Sequence, residues 1–116
     1  MNTIFMGISK ELKEHRDVML ITIVSKSGSS PRGAGAQMLV GEHGRILGTI
    51  GGGAVERRSE EMAQALLRDR RSGDHEFLLR QNSGEDIGMV CGGDVSVLFQ
   101  FIDSEKQEWK DFTDRL

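Results

Sequence analysis

Cysteine and proline are nearly absent: the chain has one of each in 116 residues. The lone cysteine, Cys91, has no second thiol to pair with, so no intrachain disulfide holds this fold. The first residues do not form a charged-then-apolar leader, and together these two features predict a reducing, cytoplasmic setting. No apolar run reaches membrane length. The longest, Val18 to Val24, is far short of the roughly 20 residues a spanning helix needs. Neither sign of charge dominates: 15 Lys and Arg against 18 Asp and Glu leave a net charge of -3. Broad binding to nucleic acid or to an anionic membrane surface is not expected, and any anion site must be local. The length suits one domain with one core and no internal linker.

Glycine, by contrast, is abundant. Its 15 residues are nearly double average usage, and they cluster in loops. The central cluster is Gly48-Thr49-Ile50-Gly51-Gly52-Gly53-Ala54-Val55-Glu56. A β-rich run precedes it, and Val55, Ser59, Met62 and Leu66 follow at helical spacing, so the glycines fall where a strand turns into a helix. Backbone N–H groups are unpaired at a helix start and the dipole is positive there, which suits an anionic ligand. Taken alone, the same three glycines read equally well as a tight turn where helix and sheet pack closely. Glu56, in the first helical turn, is explained by the dipole; its functional reading is an acceptor or base beside the glycine loop.

In chain order, Thr3 to His15 predicts an amphipathic helix with Ile4, Phe5, Ile8 and Leu12 on its apolar face. Val18 to Ser25 is apolar at nearly every position and β-branched, as in a central strand covered on both faces. Lys26 to Gly35 is a loop holding the only proline. Ser27, Ser29 and Ser30 are hydroxyl donors in it and Arg32 is a guanidinium fork suited to a phosphate, while a plain surface turn explains it as well. Ala36 to Val40 and Arg45 to Ile50 flank Gly41-Glu42-His43-Gly44, a hairpin with His43 at its tip. A helix is expected from Ala54 to Arg71, with Arg68, Arg70 and Arg71 as structural C-terminal charges and Gly73 as the stop. Strands follow at His75 to Arg80 and Val95 to Ile102, where Val95, Val97, Phe99 and Phe101 share a face. Between them Cys91 precedes Gly92 and Gly93 in a loop where a thiolate could be stabilised by N–H groups, although a free cysteine is usually an inert apolar side chain.

The fold expected is α/β or α+β, a single domain over 1–116 with a core at about 18–102. It has one mixed β-sheet with flanking helices, and 104–116 forms a C-terminal helix or a linker remnant. The hairpin edge and the amphipathic terminal segment leave surface to cover, which predicts a homodimer.

Three blocks, in order, resemble one family. Ser29-Ser30-Pro31-Arg32-Gly33-Ala34-Gly35-Ala36-Gln37-Met38, the Gly48 to Glu56 stretch and Met89-Val90-Cys91-Gly92-Gly93 are similar to the N-terminal domain of the xanthine dehydrogenase accessory proteins, the XdhC/CoxI family, over about Val18 to Ile102. The resemblance implies a role in maturing molybdenum hydroxylases: binding molybdenum cofactor (molybdopterin), presenting it for sulfuration and delivering it to the apo molybdenum hydroxylase. It implies a cysteine desulfurase and a separately encoded Rossmann-domain protein as further partners, with no nucleic acid and no membrane. The C-terminal Rossmann-like domain of full-length members is not in this sequence, and the usual lysine before the methionine of the first block is Gln37. The cofactor-binding residues are then Ser29, Ser30, Arg32, Gly51, Gly52, Gly53, Glu56 and Cys91, with Arg32 and the glycine amides on the phosphate and Cys91 as a molybdenum ligand. No catalytic residue is assigned, and the protein is expected to be a chaperone, not an enzyme. The alternatives are a structural or dimerisation module that partners a separately encoded Rossmann-domain protein and holds no cofactor, and a cysteine-dependent enzyme on a small anionic substrate. The latter is disfavoured because His15, His43 and His75 give Cys91 no evident base.

Overall fold

The computed structural model describes residues 3–26, 35–51, 53–77 and 95–106. In chain order these form α1 (Thr3–Lys13), β1 (Val18–Lys26), β2 (Gln37–Gly41), β3 (Gly44–Gly48), α2 (Gly53–Asp69), β4 (Gly73–Phe77) and β5 (Val95–Ile102). The strands make one sheet in the order β3-β2-β1-β5-β4, so the apolar Val18 run is the central strand its composition predicts. An α+β domain with one sheet and flanking helices results. The pairings are all antiparallel, where a mixed sheet was expected. The reason is topological. β3 and β4, joined through α2, run in the same direction but sit at opposite edges of the sheet, so the crossover creates no parallel neighbours.

Alternation along the strands builds two apolar layers. Met19, Ile21 and Ile23 of β1, Met38 and Val40 of β2 and Val95, Val97 and Phe99 of β5 face α2, which contributes Val55 and Ala63. The opposite face of β1 and its neighbours presents Val18, Leu20, Leu39 and Ile102 to Ile4, Ile8 and Leu12 of α1. The register explains the match: Ile21 lies opposite both Met38 and Phe99, so one row of large side chains crosses three strands. Burying each such side chain is worth about 1.5–3 kcal/mol, which is why the sheet holds its register here. One departure is Val24, which a β-bulge between Ile23 and Ser25 leaves 52% exposed. Another is Phe5, placed by its spacing on the apolar face of α1 but 38% exposed; Ile4, Ile8 and Leu12 suffice to fill the narrow strip between α1 and the sheet.

Both helices end two residues before the predicted end, and by the same device. The amide of Arg16 donates to Glu11 and that of His15 to Leu12, while Arg71 donates to Leu66 and Arg70 to Leu67. These are Schellman closures with His15 (φ 63°) and Arg70 (φ 56°) in the left-handed conformation that glycine usually takes. Gly73, expected as the stop of α2, instead opens β4. The strand tail at 78–80 and the segment 107–116, expected to be helical, lie outside the described residues.

Candidate functional site

The pairing register fixes which connections share an end of the sheet. Lys26 and Phe77 both lie opposite Val95, Thr22 opposite Gln37, and Met38 opposite Gly48. Hence β1, β3 and β4 finish, and β2 and β5 begin, at one end. The serine and arginine loop, the glycine turn and the connection carrying Cys91 are all attached there. Ser27, Ser29, Ser30, Arg32, Gly52 and Cys91 themselves lie outside the described residues. Gly51, Gly53 and Glu56 are described.

The glycine turn is tightly determined at its start and open at its centre. Gly48 has φ +82°, and a Cβ there would stand 2.5 Å from the carbonyl oxygen of Gln37, so only glycine fits. Gly51 has φ +124°, and no atom of the described residues stands within 4 Å of where its Cβ would be. Gly53 opens α2 with φ +70°. Gly51 is exposed among the described residues and carries no side chain of its own.

Glu56 folds back over this turn. Its Oε1 accepts the Ile50 amide at 3.0 Å and the Thr49 hydroxyl, and its Oε2 lies 3.4 Å from Arg45 Nη1. Arg45 Nη1 also donates to the Gly48 carbonyl at 3.2 Å, and Thr49 Oγ1 accepts the Gly51 amide at 3.2 Å. The carboxylate is only 15% exposed. Glu56 is thus an acceptor beside the glycine loop, and the donors it uses belong to the chain itself. Arg45 and Thr49 were not singled out from the sequence. Thr49 carried a faint signal, a hydroxyl two residues before a glycine; Arg45 carried none, because its contact needs α2 to lie back against β3.

That packing runs the length of the hairpin. Glu56, Glu60 and Gln64 follow one another at i, i+4 and i+8 on α2. Glu60 accepts the Arg45 amide at 3.0 Å, and Gln64 donates to the Glu42 carbonyl at 3.3 Å. This stripe engages β3 at the Arg45 amide, while Arg45, Ile46 and Gly48 of that edge strand remain exposed.

A cavity of about 540 Å³ lies at the other end of the sheet, where the Glu42 to Gly44 turn meets the ends of both helices; His15, Arg16, His43 and Arg68 are among its walls. Its cations are partly spoken for. A hydrogen bond to Glu11, helped by the charges of Glu11 and Glu14, raises the Arg16 pKa above its already high value. His43 is at the exposed turn tip, as its position predicts, and of the described site residues, Gly51, Gly53 and Glu56, none lines this cavity. Among the described residues no group of three or more His, Cys, Asp or Glu side chains could hold a metal ion. No helix among them is long and apolar enough to cross a membrane.

An α+β domain that gathers three glycine-bearing connections at one end of an antiparallel sheet is the class of structure these features define. The XdhC and CoxI family model matches residues 11–82, more than half of the chain, and the chain belongs to that family. It is 37% identical over 94 residues to the uncharacterized protein YqeB of Escherichia coli strain K12, covering 81% of this chain and 17% of YqeB. It is 33% identical over 96 residues to the molybdenum cofactor insertion chaperone PaoD of the same organism, covering 82% of this chain and 30% of PaoD. The crystal structure of a xanthine dehydrogenase from Bacillus halodurans superposes with a TM-score of 0.72 at 27% identity, over 97% of this chain and 34% of that one. The chain therefore spans about a third or less of the length of these relatives.

Proposed function

We propose that this domain is an accessory module for the maturation of a molybdenum hydroxylase of the xanthine dehydrogenase type, holding molybdenum cofactor and passing it to the apo-enzyme. The observation that supports it most is the attachment of the three family-like loops to one end of the sheet, in a chain similar to a molybdenum cofactor insertion chaperone. The described residues fit such a ligand in a restricted way. They offer exposed backbone at Gly51, with no described atom within 4 Å of where its Cβ would be, but the guanidinium of Arg45 is occupied by Glu56. Charge for the phosphate is therefore assigned to Arg32, with Ser29, Ser30 and the amides of Gly52 and Gly53 as further donors, since the Gly51 amide already donates to Thr49, and the soft ligand for the metal to Cys91. Bound, the group would supply the molybdenum that the hydroxylase uses; the module itself binds and orients it without turnover.

A cysteine desulfurase, a separate Rossmann-domain protein and a homodimeric state in the cytoplasm belong to the same proposal. The test is purification from molybdenum-replete cells, followed by acid release and measurement of pterin fluorescence. A fluorescent pterin in proportion to protein is the expected result. Its absence would leave ahead the structural or dimerisation module that partners a separate Rossmann-domain protein and holds no cofactor.

A further inference from the structure

Four groups of the glycine turn are held by three side chains before any ligand arrives. The Gly48 carbonyl accepts from Arg45, the Thr49 hydroxyl and the Ile50 amide donate to Glu56, and the Gly51 amide donates to Thr49. Arg45 and Glu56 tie the turn to regular elements, β3 and α2, while the Thr49–Gly51 bond lies within the turn. Gly48 and Gly51 both have positive φ, and glycine loses the most backbone freedom on being ordered. Without side-chain anchors, this stretch would sample many conformations. A binder that must order its own loop loses affinity in proportion.

We infer that Glu56 is a positioning residue, which acts through Arg45 and Thr49 to fix the Gly48–Gly51 backbone in the conformation that receives an anionic ligand. It does not itself contact the ligand. This inference rests on the cofactor-handling reading for its purpose, though not for the existence of the clamp. It has a directional consequence. The carboxylate consumes the Ile50 amide, which is then not left for a ligand. Approach is assigned to the exposed Gly51 side, where no described atom stands within 4 Å of the missing Cβ.

Amide hydrogen exchange on the unliganded chain, read beside pterin retention, tests this. In Glu56→Ala, exchange at Ile50 and Gly51 should rise about tenfold or more, the loss expected for one hydrogen bond, while the amides of Leu39 and Phe99 keep their wild-type protection. Thr49→Val, which preserves shape, should release Gly51 with a smaller effect on Ile50. Pterin retention should fall by about tenfold in Glu56→Ala, and Glu56→Gln, which keeps an acceptor for Ile50, should recover part of it. Unchanged exchange at Ile50 and Gly51 would overturn the clamp. A uniform rise across the sheet would also overturn it, by showing a general stability effect. Selective opening with wild-type retention would overturn the positioning role. Wild-type protein without pterin would overturn the cofactor reading and the purpose given to the clamp, and the exchange data would still decide whether the clamp exists.

Discussion

Arg70 Nη1 lies 2.8 Å from Asp17 Oδ2, joining residues 53 positions apart. The other arm of the same guanidinium meets Asp103 at 2.8 Å, and its Cζ lies 5.1 Å from the centre of the Phe101 ring. Asp17 in turn accepts the Ser104 amide at 2.8 Å. One side chain thus fastens the end of α2 to the start of β1 and the end of β5. The arginines at this helix end were expected to be structural, and for Arg70 the contacts give that role its form.

Arg70→Ala should lower stability by about 1 kcal/mol, a modest figure because exposed ion pairs are individually weak. The loss should shrink as salt is raised. Arg70→Gly should lose less than a cap-neutral comparison would suggest, since glycine relieves the left-handed backbone that the arginine adopts. Urea unfolding of both variants at low and high salt checks the order.

His15 presents the opposite balance. It adopts the same backbone conformation (φ 63°), but its one side-chain partner, Glu105 at 3.2 Å, is exposed, as His15 itself is. His15→Gly should therefore raise stability by about 0.5 kcal/mol, the removed strain exceeding both the lost surface contact and the added freedom of the unfolded chain. A higher melting temperature is the expected outcome, and a lower one would show that the Glu105 contact matters more than its exposure suggests.

Ser59 lies on the buried face of α2 with Val55 and Ala63, and its hydroxyl oxygen has no hydrogen-bond partner among the described residues. A buried, unpaired hydroxyl carries a desolvation cost, and alanine is the better helix former. Ser59→Ala should stabilise the domain by about 1 kcal/mol without changing its fold. Denaturant midpoints with an unchanged slope would establish both points.

For the proposed cofactor site, Cys91→Ser should weaken pterin retention, since serine keeps the volume and removes the soft ligand. Arg32→Ala should weaken it by about 1.5–3 kcal/mol through loss of a charge-assisted contact. Thermal melting controls for folding. Wild-type retention in both variants would favour the module that holds no cofactor.

The sequence alone determined the elements whose pattern is set locally. Period-two alternation marked Val95 to Ile102 to the residue, and the uniformly apolar Val18 run marked the strand that α1 and α2 cover from both sides. The Gly41 to Gly44 signal placed the hairpin turn. These readings succeed because strand alternation and turn chemistry depend on near neighbours. Tertiary structure decided whatever depends on residues far apart in the chain. The sheet is antiparallel because β3 and β4 occupy opposite edges, which no local pattern records. The helix ends were set by side chains able to hold a left-handed residue in place, so His15 and Arg70 took the role that composition assigns to glycine. Glu56 reads from the sequence as a first-turn acid explained by the dipole or as an acceptor or base beside the glycine loop, and the donors it takes follow from α2 lying back along β3, which brings its carboxylate to the Ile50 amide and the Arg45 guanidinium. A carboxylate has no directional preference along the chain; packing selected its donors.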